Sequence, residues 1–134
     1  MATQLDHMIL RVNDAQQSID FYTRILGLHY EGERGPFAVI RVTDGLTLQL
    51  APWTTPGGEH LAFAMTRGEF EDVFRRAREA GIEYGDSFHS VGNMQGPGDE
   101  DGARGPGKAL YLFDPNEHLI EIRYYESRTA PVSA

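Results

Sequence analysis

The chain has 134 residues and a mass of 15.0 kDa, one domain's worth, large enough to bury about two-thirds of its unfolded surface without staples. Its 20 acidic residues outnumber 12 basic ones for a formal charge of -8, which argues against nucleic acid or an anionic membrane as a general partner, since both need a basic footprint. Cysteine is absent, excluding disulfides, thiolate catalysis and Cys-bound zinc or iron–sulfur centres, while sites of His and carboxylate stay open.

The opening stretch, Met1 to His7, lacks the basic and apolar regions of a secretion signal. No apolar run approaches the roughly 18 residues of a membrane span, so a cytoplasmic protein is expected. The first strand reads LDHMILRV, with Met8, Leu10 and Val12 expected to face a helix and His7, Ile9 and Arg11 to face away. Asp14 as N-cap and the stripe Ile19, Tyr22, Ile25, Leu26 predict a helix over about 15–26. Gly27 supplies its left-handed stop, and a short aromatic-containing strand follows. Phe37–Val42, the Asp44-Gly45 turn and Leu46–Leu50 predict a hairpin, with Thr47 and Gln49 opposite the leucines.

From Gly58 the pattern restarts. GEHLAFAM is an alternating strand that sets Leu61, Phe63 and Met65 against His60, Ala62 and Ala64. Thr66 and Glu69 form a capping box ahead of the stripe Phe70, Val73, Phe74, Ala77, predicting a helix over about 67–80 that Gly81 ends. A short strand with an aromatic residue should follow, then a long glycine-rich connection over 89–107, whose Asp99-Glu100-Asp101 run reads as a solvated loop tip. Lys108–Phe113, the turn Asp114-Pro-Asn-Glu117 and His118–Tyr124 predict a second hairpin. Its last strand sets Ile120, Ile122 and Tyr124 against Leu119, Glu121 and Arg123. His29 and His118 are expected to be exposed, and the tail from Ser127 to have no core role.

Each half therefore reads β-α-β-β-β, module one over about 4–52 and module two over about 58–125, within a single domain spanning 1–134. The repeat makes His7 equivalent to His60 and Gln49 to Glu121, all on faces turned away from the helices. If the halves pack about a pseudo-twofold axis, these side chains converge. Two imidazoles and a carboxylate suit Fe, Mn, Ni or Zn as the divalent ion, without choosing among them.

LDHMILRV, GEHLAFAM and DPNEHLIEI, set in the double repeat, resemble the vicinal oxygen chelate superfamily over about residues 4–125. That group includes glyoxalase I, bleomycin-resistance proteins, fosfomycin-resistance transferases and type I ring-cleaving dioxygenases. The resemblance implies an α+β fold in which two βαβββ modules form a curved mixed sheet around a metal site, with helices on the outer face. It implies His7, His60 and Glu121 as metal ligands. It also implies a homodimer with shared sites, His7 coming from the opposite subunit.

The subfamilies divide on residues beyond the triad. Glyoxalase I typically has Glu where Gln49 stands, and an amide cannot shuttle a proton. Fosfomycin transferases share the triad and Tyr111, but carry Thr where Ile9 stands and basic residues where Asp99-Glu100-Asp101 stands. Ring-cleaving dioxygenases also match the triad and Tyr111, yet use a further acid–base His where this chain offers Gln49, with His89 as a possible substitute. The leading expectation is a metal-dependent enzyme whose divalent ion chelates vicinal oxygens of a small-molecule substrate and stabilises an oxyanion. Tyr111 would hydrogen-bond the developing charge, Gln49 would orient substrate or water, and Arg11 and Arg123 would hold an anionic substrate or form inter-strand ion pairs. The alternative is a non-catalytic drug- or metabolite-sequestering protein of the bleomycin-resistance type.

Overall fold

A computed structural model describes residues 3–126. The tail from Ser127 lies outside the described residues. The chain divides into two compact units, one running to Gly57 and including the turn Asp114–Glu117, the other comprising Gly58–Phe113 and the chain from His118 on. The fold is α+β, built from two βαβββ modules, each with its own four-stranded mixed sheet.

The first unit contains β1 (His7–Arg11), α1 (Ala15–Asp20), β2 (His29–Arg34), β3 (Phe37–Thr43) and β4 (Leu46–Ala51). Its sheet runs β1-β4-β3-β2, with β1 parallel to β4 and the other pairs antiparallel. Asp14 caps α1 by accepting from the Gln17 N–H at 3.0 Å. The helix expected to continue to residue 26 instead loosens into a π-helical turn over Phe21–Ile25, where the Leu26 N–H reaches back to the Phe21 carbonyl. Thr23 lies inside that turn and donates its hydroxyl to the Ile19 carbonyl at 2.7 Å, competing with the regular ladder.

Leu10, Ile40, Leu48 and Leu50 fill this unit's core, as alternation predicts. Met8 shares their face but is 42% exposed, because β1 is an edge strand. The turn at 114–117 is anchored in the same unit. Tyr22 donates to Asp114 at 2.7 Å, Asn116 Nδ2 donates to Ser18 Oγ at 3.0 Å, and the Asn13 N–H donates to Asn116 Oδ1 at 2.8 Å.

The second unit contains β5 (His60–Ala64), α2 (Arg67–Glu79), β6 (Gly98–Gly102), β7 (Gly105–Phe113) and β8 (Leu119–Tyr125). Its order, β5-β8-β7-β6, is the first unit's order repeated, again with only the first pair parallel. The capping box forms: Glu69 N–H donates to Thr66 Oγ1, and Thr66 N–H donates to the Glu69 carboxylate. Phe70, Val73 and Ala77 are buried, and the Phe70 ring meets Tyr124 edge-on at 5.0 Å.

The sixth strand lies elsewhere than expected. After Gly81 there is only an isolated bridge, in which Gly85 exchanges hydrogen bonds with Tyr111 at 2.9 and 3.0 Å. The Asp99-Glu100-Asp101 run is not a loop tip but the middle of β6, hairpin-paired to β7, with Asp99 opposite Lys108 and ion-paired to it. Glycine and acid have poor strand propensity, so this strand is imposed by β7 rather than by its own side chains.

Candidate functional site

Alternation along β5, β7 and β8 builds a polar cluster on the sheet face opposite α2. Tyr111 on β7 is the direct cross-strand partner of Glu121 on β8, which is paired in turn with Ala62 of β5. His60 reaches diagonally over this row. Its Nε2 lies 3.1 Å from Glu121 Oε1, and its ring stands edge-on to Tyr111 with centroids 6.4 Å apart. His60 is half exposed, whereas Glu121 is 7% and Tyr111 4% exposed.

The second Glu121 oxygen, Oε2, accepts from Arg123 Nη1 at 2.7 Å. Arg123 is 2% exposed and pairs with Glu121 two residues before it on β8, an ion pair within one strand rather than between strands. Burial, reinforced by the Glu121 charge, pushes the Tyr111 hydroxyl up to about 12. At neutral pH the phenol therefore keeps its proton and can donate it in a hydrogen bond. The Phe88 ring stands 6.4 Å from that of Tyr111 and 3.8 Å from the exposed His89 ring.

In the first unit, exposed His7 Nδ1 contacts the carboxylate of the preceding residue, Asp6, at 2.7 Å. Gln49 stands two pairs along from His7, opposite Ile9. It lines a polar cavity of about 440 Å³ together with Asp6, Thr47 and the Glu31–Arg41 ion pair. His118, expected to be exposed, is fully buried and accepts the Glu59 N–H on Nδ1 at 3.2 Å. It precedes β8, so strand alternation does not govern it.

Ligands about 2.1 Å from one ion at octahedral or tetrahedral angles lie about 3.0 to 3.4 Å apart. The His60–Glu121 separation falls in that interval, and imidazole with carboxylate is a donor set that suits a divalent ion. These two residues fit the metal. Among the described residues no three His, Cys, Asp or Glu side chains stand together as a group that could hold a metal ion, so His60 and Glu121 would supply at most two donors.

The comparisons agree with this architecture. The chain is 29% identical over 131 residues to the virulence protein STM3117 of Salmonella typhimurium, covering 91% of this chain and 84% of that one. It is 24% identical to glutathione transferase FosA of Serratia marcescens over 129 residues, covering 91% and 81%. Among solved structures, oxidase ChaP-H2 superposes with a TM-score of 0.77 at 27% identity, covering 98% of this chain and 100% of that one. Two of these relatives are enzymes by name. The family model for the Glyoxalase/Bleomycin resistance protein/Dioxygenase superfamily matches residues 4–122, and the chain belongs to that superfamily.

Proposed function

We propose that the protein is a metal-dependent enzyme acting on a small molecule with vicinal oxygens, with His60, Glu121 and His7 holding a divalent ion. The observation that carries this reading is the contact between His60 Nε2 and Glu121 Oε1 at ligand-to-ligand distance. When bound, the ion supplies Lewis acidity toward substrate oxygens.

The chain's own residues define what accompanies it. Tyr111, protonated at neutral pH, donates a hydrogen bond to an oxygen that gains negative charge. Gln49 orients substrate or water through its amide and takes no proton. Two orienting groups without a dedicated proton acceptor count against glyoxalase-type isomerisation, which needs a proton shuttle, and favour an oxidase-type reaction. The likeness to an oxidase supports the same choice.

In this reading the protein is a homodimer, and His7 reaches the site from a second copy of the chain. The support is at the sheet edges: β1 and β5 are edge strands, and Leu5, Met8 and Ile9 are exposed at 61%, 42% and 47%. Elemental analysis of protein purified without a His-tag or chelator tests the assignment. Stoichiometric Fe, Mn, Ni or Zn is expected; protein that takes up none even after soaking would be a binder of the sequestering kind.

A further inference from the structure

The guanidinium of Arg123 is held more closely than a space-filling role requires. Nη1 donates to Glu121 Oε2 at 2.7 Å and Nη2 donates to the Glu100 carbonyl at 2.8 Å, while the Tyr125 ring lies 4.7 Å from Cζ. The remaining side is closed by Gly102, where an added Cβ would overlap Cζ and the Tyr125 hydroxyl. Strand β6, with little apolar content of its own, thus contributes both a carbonyl and a glycine to one side chain. Arg123 Nε is buried and has no hydrogen-bond partner. The planar fork is therefore oriented by two of its contacts and not by satisfying every donor, and an unsatisfied buried donor calls for a reason. Buried ion pairs are often no more stabilising than apolar replacements, so net stability does not supply one.

We infer that Arg123 is a positioning residue: it binds Oε2 of Glu121 and so leaves Oε1 as the oxygen facing His60. This inference rests on the proposed metal site. A lysine in its place keeps the charge but loses the fork that fixes the carboxylate plane.

The test is titration of metal-free protein with Co(II), followed by visible absorption, which reports both affinity and the donor set around the ion. Arg123→Lys should bind roughly 10- to 100-fold more weakly, the usual effect of removing a partner of a ligand. Its absorption spectrum should also be altered. Gly102→Ala, which displaces the guanidinium without touching Glu121, should move affinity and spectrum in the same direction. Wild-type affinity and spectrum in folded Arg123→Lys would overturn the inference and leave the metal reading standing, even if the melting temperature fell. Wild-type protein that binds no Co(II) would overturn both.

Discussion

Tyr22 and Tyr111 are both buried phenols, and burial beside a carboxylate gives them opposite uses. Tyr22 is fully buried and donates to Asp114 at 2.7 Å, so Tyr22→Phe leaves a buried carboxylate short of a donor. We expect a loss of about 1–3 kcal/mol, read by urea unfolding at neutral pH. Both hydroxyls are held above their ordinary value of 10.0, Tyr111 at about 12 and Tyr22 higher still, with burial as the first cause of each. Above about pH 10 the unfolded chain releases protons that the folded chain keeps, so stability falls as pH rises through 10 to 12. Tyr22→Phe should flatten that alkaline loss, and an unchanged slope would show that Tyr22 is not its source. Tyr111→Phe should retain metal and lower turnover by roughly 100-fold, the usual effect of losing one oxyanion donor. A variant with full turnover would remove Tyr111 from the chemistry.

At the scale of elements, the caps and stripes were legible because their physics is local. The Thr66–Glu69 capping box satisfies two N–H groups within one turn, so four residues suffice to read it. Thr66→Ala should cost about 1 kcal/mol in thermal or urea unfolding, with the fold unchanged. Strand faces were equally legible, since the placement of His60 and Glu121 on one face follows from a period of two. Strand β6 was not. Gly98-Asp-Glu-Asp-Gly102 carries no apolar alternation, and its pairing partner is the beginning of β7. The π-helical turn at Phe21–Ile25 was hidden for a related reason, because its apolar spacing is also that of an α-helix. The Arg123 fork could be assigned to the ligand face, but its choice of Glu121 over a substrate anion depends on β6 closing over it.

At the scale of the whole molecule, both modules repeat one strand order, and the proposal places one donor in the first and two in the second. If His7 comes from a second copy, mixing His7→Ala with His60→Ala under subunit exchange restores one intact site in each heterodimer. Metal binding should then reappear in a mixture of two variants that each bind poorly. If one chain supplies the whole set, no heterodimer contains an intact site and the mixture stays inactive. Sedimentation of the wild type and of each variant, which should all run as dimers, is the control.

Whether His60 and Glu121 hold a divalent ion together with His7 is decided by metal content measured side by side in wild type and His60→Ala. One divalent ion per chain is expected in the wild type, and near-complete loss in a folded His60→Ala variant. Full metal retention in that variant would contradict the assignment.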